Sequence, residues 1–229
     1  PGDKILAVVT GFFGQRYSDM AKALLIDVEE LHFEWGRDID IGILREVLAT
    51  YPDIKAVLVT HNETSTGVTN DLASISRVVK QEYGKLLLVD AVSSLGSVEL
   101  KTDDWQCDVV AAGSQKGLLT PPGLSVISFS ESAWRAYEKS SMPKYYNDLG
   151  LFRTFMGIGQ TAFTPAISLI YALDKSLELI LREGLDSFID MQREQAFMIR
   201  SKVRSLGLGL LAEDRCASHS VTAVKVPEN

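Results

Sequence analysis

With 229 residues, 46 % of them apolar, the chain can bury a substantial core as one large domain or one and a half small ones. The formal charge of −7, with no face that concentrates Lys and Arg, excludes a nucleic-acid footprint, which needs a basic stripe to displace counterions from phosphates. No apolar run approaches the ~20 residues that cross a bilayer, and no secretory signal pattern is legible, so neither nucleic acid nor membrane is expected as a partner.

Short apolar runs alternate with longer segments of helical periodicity. Ile5–Thr10 predicts a strand, Ser18–Leu24 a helix capped by Ser18, and Leu25–Leu31 a second strand. Ile41–Thr50 carries Ile41, Leu44, Val47 and Leu48 at helical spacing. Ile54–Thr60 (strand), Asp71–Glu82 (helix), Leu86–Asp90 (strand), Asp108–Ala112 (strand), Leu124–Phe129 (strand) and Ala133–Lys139 (helix) follow. This rhythm predicts an α/β fold, a mainly parallel central sheet flanked by helices. From Thr164 the character changes. Pro165 suits the first turn of a helix capped by Thr164, with an apolar stripe of Ile167, Ile170, Tyr171, Leu173 and Leu177. Gly184 separates it from a charged helix over Leu185–Leu206, which Gly207 stops. The expected organisation is a large domain over residues 1–164, linking helices over 165–206, and the start of a second domain over 207–229.

Cys107 and Cys216 lie far apart, without metal-ligand spacing, and read as reduced thiols of a cytoplasmic protein. The chain opens on Pro1-Gly2-Asp3-Lys4, running at once into a strand pattern, and closes on the strand-like Val221–Val226 before Pro227-Glu228-Asn229. Ends so abrupt are expected of a piece of a longer polypeptide.

In open α/β sheets ligands collect outside the carboxyl ends of the strands. Three such ends deliver polar residues: His61-Asn62-Glu63-Thr64-Ser65-Thr66-Gly67, then Asp90-Ala91-Val92-Ser93-Ser94, then Gly113-Ser114-Gln115-Lys116-Gly117. Asp90, directly behind Leu-Leu-Leu-Val, is a carboxylate that burial penalises unless it finds a partner. Lys116 follows an apolar strand, and an amine drawn into the domain loses basicity and becomes a usable nucleophile. Each has an ordinary reading too: Asp90 capping a loop, Lys116 snorkelling at the surface. Together they suggest pyridoxal-phosphate (PLP) chemistry, which needs a lysine for the cofactor aldehyde and an acid opposite the pyridine nitrogen.

The stretch Leu87-Leu88-Val89-Asp90-Ala91-Val92-Ser93-Ser94-Leu95-Gly96 resembles class V aminotransferases. So do Asp108-Val109-Val110, Gly113-Ser114-Gln115-Lys116 and Pro121-Pro122-Gly123-Leu124, in that order. The nearest branch is that of the alanine–glyoxylate and serine–pyruvate enzymes, to which His61 through Gly67 and Gly11-Phe12-Phe13-Gly14-Gln15-Arg16 are also similar. The resemblance covers essentially the whole chain and implies the large domain of a fold type I PLP-dependent transferase. It lacks an N-terminal segment and most of the C-terminal small domain. By position, it implies that Lys116 forms the imine with the cofactor and moves the substrate proton, and that Asp90 pairs with the pyridinium. It places Val92 and Phe13 on opposite ring faces, Thr64 on the phenolic oxygen, and Gln115 (less well Ser114) on the phosphate. Gln160, Thr161 and Thr164 fall where the family reaches the partner subunit's phosphate, although Thr164 as a helix cap fits equally well. His61 is expected to pack rather than catalyse, His32 and His219 have no constellation around them, and Arg16 is expected in a structural ion pair.

The implied activity is transamination from an amino acid such as alanine or serine to a 2-oxo acid such as glyoxylate or pyruvate, in a homodimer. Two alternatives stand beside it. One is a truncated, non-catalytic dimerising remnant. The other is a cysteine desulfurase-like lyase, disfavoured because Gln115 and Phe13 stand where those relatives have His.

Overall fold

The computed structural model describes residues 2–227. Pro1, Glu228 and Asn229 lie outside them. Six strands form the central sheet: β1 (Lys4–Val9), β2 (Asp27–His32), β3 (Ile54–Thr60), β6 (Leu86–Asp90), β7 (Val109–Gly113) and β8 (Ser125–Phe129), in the order β2-β1-β3-β6-β7-β8. The first five run parallel, and β8 lies antiparallel to β7 at one edge. A separate hairpin pairs β4 (Asn62–Glu63) with β5 (Val68–Thr69).

Strand alternation explains how both faces are covered. Leu6, Val8, Val57, Val59, Leu87 and Val89 point to one face, where they pack with α2 (Ile41–Thr50) through Leu44 and Leu48. α3 (Leu72–Ser76) and the π-helical continuation Arg77–Glu82 join that layer with Leu72, Ile75, Val78 and Val79. Ile5, Ala7, Ala56 and Leu58 point to the other face, beneath Tyr17 and Ala21 of α1 (Phe12–Ala23). α4 (Glu131–Lys139), α5 (Leu149–Gly157), α6 (Ile167–Glu183) and α7 (Leu185–Ser205) complete the chain. Ser176 of α6 donates from its buried hydroxyl to the Leu118 carbonyl at 2.6 Å, tying α6 to the loop between β7 and β8. Among the described residues no helix is long and apolar enough to cross a membrane.

The predicted strands and most helices are present, and the differences have identifiable causes. α1 begins at Phe12 rather than Ser18, because its first N–H groups find acceptors far away in sequence: Phe12 N on Ser65 Oγ, and Phe13 N and Gly14 N on the Glu63 carboxylate. Ser18 is therefore buried mid-helix and donates to Glu30. Leu25 turns with φ 59° and delays β2 to Asp27. α5 was not expected; Asp148 caps it by accepting from Gly150 N. Thr164 does not cap α6, whose N-cap is Ala166 with no side-chain bond. Asp71 caps α3 by accepting from Ser74 N, and Gly184 (φ 86°) separates α6 from α7 as expected. The run Val221–Val226 forms no strand, only a bridge from Val224 to Leu210.

Candidate active site

The sheet reverses its winding between β1 and β3, the place where open sheets leave a crevice at the carboxyl ends. Thr60 of β3 pairs with Asp90 of β6, so these two strands end level, while Asp90 pairs with Ala111 of β7, which runs on to Gly113. The loops that leave them are fixed by backbone contact. A Cβ on Gly96 (φ 80°) would lie 2.8 Å from the Gly117 carbonyl oxygen, and one on Gly117 would lie 2.3 Å from that of Leu95. The turn after Asp90 and the turn carrying Lys116 are thus pressed together at peptide distance, which only paired glycines permit.

Asp90 is half-buried. Its Oδ1 accepts from Val92 N at 2.9 Å, so the loop-capping reading holds for one oxygen. The other accepts no hydrogen bond among the described residues, and no cation pairs with it. Burial pushes this carboxyl above its ordinary pKa, the Val92 N–H pulls it back, and the Glu63 charge adds to the rise. Asp90 in turn raises the Tyr17 phenol, which burial has already pushed up. A carboxylate left this way suits a cationic partner such as a protonated ring nitrogen.

The β4–β5 hairpin that follows β3 is organised by Glu63, whose role the sequence reading did not single out. Its fully buried carboxylate accepts from Phe13 N at 3.1 Å, Gly14 N at 2.9 Å, Ser65 N at 3.0 Å and Ser65 Oγ at 2.7 Å. It neutralises the start of α1 and locks the Phe13 backbone against the hairpin that carries Thr64. Gly11 admits this approach, since a Cβ there would meet Glu63 Cγ at 2.5 Å. The ring of Phe13 is half-buried and stands edge-on to Phe12, with centroids 5.5 Å apart. Arg16 makes no ion pair among the described residues, contrary to expectation. Its guanidinium lies 5.0 Å from the Phe12 ring centre and 5.7 Å from that of Phe13, a cation–π arrangement. Thr64, half-buried, bonds Ser93 Oγ at 3.0 Å. Val92 is also half-buried, one residue from Ser93.

Lys116 stands at the exposed tip of its turn, closed by Leu119 N donating to the Lys116 carbonyl at 2.9 Å. The expected withdrawal of its amine into the domain is not observed: Lys116 is exposed, as are Gln115 and Leu119 beside it. Gln115 folds back, with Oε1 2.7 Å from where a Gly113 Cβ would be. Ser114 is fully buried, with its hydroxyl committed to Pro121 O and Leu124 N, so it has structural work instead of a ligand. Gln160 and Thr161 are exposed beyond α5, and no hydrogen bond among the described residues joins their side chains to the strand ends. Their loop is anchored elsewhere, through Phe163 packed on Tyr145, Tyr146 and Phe152.

His61 is buried edge-on to Trp105, and burial pulls its imidazole down to about 4, so it packs as a neutral ring. Cys107 and Cys216 are free and buried, and burial raises both thiols. Among the described residues no three His, Cys, Asp or Glu side chains gather as metal ligands.

Comparison with known proteins shows the family and the fold. A family model described as "Aminotransferase class-V" matches residues 1–228. Among curated relatives, a protein of Anabaena cylindrica named the soluble hydrogenase 42 kDa subunit is 43 % identical over 229 residues, spanning 99 % of this chain and 60 % of its own. The L-aspartate–glyoxylate aminotransferase of Paracoccus denitrificans is 37 % identical, spanning 100 % and 59 %. The crystal structure of alanine–glyoxylate aminotransferase from Nostoc sp. matches with a TM-score of 0.94 at 32 % identity, covering 100 % of this chain and 61 % of that one. The chain thus spans about 60 % of the length of the relatives it matches.

Proposed function

Because the chain belongs to the class-V aminotransferase family, whose members use pyridoxal phosphate, we propose that it carries the cofactor site of an enzyme that moves an amino group from an amino acid to a 2-oxo acid. The observation that carries this reading is Asp90: a half-buried carboxylate with one oxygen unpartnered, in a crevice whose neighbouring strand end supplies Lys116. A carboxylate without a cation is costly in such a place, and a protonated pyridine nitrogen removes the cost. The cofactor, when bound, supplies the electron sink that stabilises a carbanion at the substrate α-carbon.

The chain's own residues supply the remainder. Asp90 holds the proton on the ring nitrogen. Lys116 Nζ would hold the cofactor through its aldehyde and would carry the proton of the substrate α-carbon. Phe13 and Val92 would present apolar surface to the two ring faces, Thr64 would meet the phenolic edge, and Gln115 would turn to the phosphate. Gln160 and Thr161, exposed and unattached within one chain, are available to a second subunit, so we assign them to the partner's phosphate in a homodimer. The substrates belong to the class of small amino acids, such as alanine or serine, and 2-oxo acids, such as glyoxylate or pyruvate; the names of similar enzymes carry aspartate, alanine and glyoxylate. We retain the division into a cofactor domain (1–164), linking helices (165–206) and the start of a second domain (207–229), in a cytoplasmic protein with reduced cysteines.

The test is spectroscopic. The purified chain is mixed with pyridoxal phosphate, and the visible band of lysine-bound cofactor is recorded. The band is expected in the native chain, absent in Lys116→Ala, and bleached on adding an amino acid. A native protein that retains no lysine-bound cofactor, by either its visible or its near-ultraviolet band, would instead support the non-catalytic remnant.

A further inference from the structure

The hydrogen-bond directions around Thr64 are fixed by neighbours that can only donate or only accept. Thr69 Oγ1 donates to Asn62 Oδ1 at 2.7 Å, which orients the carboxamide so that Nδ2 faces Ser93 Oγ at 3.0 Å and Ser220 Oγ at 3.2 Å. An amide nitrogen only donates, so both hydroxyls accept from it. Ser220 Oγ donates its proton to the Ser93 carbonyl at 2.9 Å, and Ser93 Oγ donates its own to the Asn62 carbonyl at 2.7 Å. A hydroxyl has one proton. In the 3.0 Å contact between Thr64 Oγ1 and Ser93 Oγ, Thr64 is therefore the donor.

We infer that Ser93 is a positioning residue for the cofactor's phenolic edge: by holding the only proton of Thr64, it turns Thr64 towards the crevice as an acceptor. This rests on the proposed cofactor reading. A ring oxygen that bears a proton finds a partner in Thr64 so held, and an ionised one does not until Thr64 releases Ser93. The network therefore favours the protonated ring oxygen. It also ties that preference to the segment Ser218–Val221, because Ser220 orients both Ser93 and Asn62. Asn62 and Ser93 are buried, so water does not readily replace the bonds between them, whereas Thr64 is half-buried and Ser220 exposed.

Two measurements test it. In cofactor-free protein, a double-mutant cycle of Thr64→Val and Ser93→Ala by urea denaturation is expected to be non-additive, the pair costing less than the sum of the singles. Additive losses would overturn the inference whether or not the cofactor binds. In cofactor-loaded protein, protonated and ionised ring oxygens absorb at different wavelengths. Ser93→Ala frees the Thr64 proton and is expected to lower the protonated-to-ionised ratio roughly tenfold, the worth of one hydrogen bond to a charged oxygen. Ser93→Cys, which keeps the volume with a weaker acceptor, should shift it in the same direction by less. Neither change should move the ratio in a Thr64→Val background. A ratio unchanged by Ser93→Ala, or changed equally without Thr64, would reduce Ser93 to a structural role. Failure of the native chain to take up cofactor would sink the proposed function, and the cofactor-free cycle would still decide whether Ser93 holds Thr64.

Discussion

Two aspartates on neighbouring strands of one sheet are treated in opposite ways. Asp108, at the amino end of β7, is buried and saturated: it accepts from Leu87 N at 2.8 Å and Ser130 Oγ at 2.7 Å, and pairs with Lys80, which also donates to the Lys85 carbonyl. Asp90, at the carboxyl end of β6, has one N–H and an unpartnered oxygen. Both are carboxylates behind apolar strands, and by pattern they look alike. A carboxylate that the chain has satisfied by itself serves the fold, and one left short of partners is held ready for something that arrives later.

Four substitutions break or sharpen that contrast, ordered by their effect on the cofactor-free fold. Asp108→Ala leaves Lys80 without its counter-charge and strands Leu87 N in the interior; urea denaturation should show a loss of about 3–5 kcal/mol. Glu63→Ala removes the acceptor shared by Phe13 N, Gly14 N and Ser65, with an expected loss of about 2 kcal/mol in the same assay and weaker cofactor uptake.

Asp90→Asn should act in the other direction. Its folded pKa lies above the ordinary carboxylate value. Below the unfolded pKa both states are protonated and Asp90 costs nothing; as pH rises through the folded pKa the cost of its charge becomes complete. The amide should therefore raise the melting temperature at pH 7 by ~2 °C, with the gain vanishing in acid, while cofactor binding is lost. Destabilisation at pH 7 would place Asp90 with Asp108. Lys116→Ala, at an exposed turn, should leave stability within about 0.5 kcal/mol and still abolish the cofactor's visible band.

The sheet was legible in the sequence because buried parallel strands are short, apolar and bounded by polar loops. Asp90 and Lys116 stood out because each follows such a strand. Glu63 occupies a comparable position, yet its work depends on N–H groups 49 and 50 residues away, which no local pattern announces. For the same reason the start of α1 was misplaced at Ser18: the cap is supplied from another loop. Ser93 reads as one serine among several until the proton directions are traced. The exposure of Lys116 and the mid-helix position of Ser18 are outcomes of packing, and the stacking of Arg16 on Phe12 and Phe13 is a contact that composition does not distinguish from an ion pair.

The contact between Gly96 and Gly117 has one more implication. It fixes the spacing of two loops through main chain alone, so side chains around the rim can be exchanged over evolutionary time without widening or narrowing the gap they surround. Enzymes built on such a frame can change which amine they accept while inheriting the same reaction geometry.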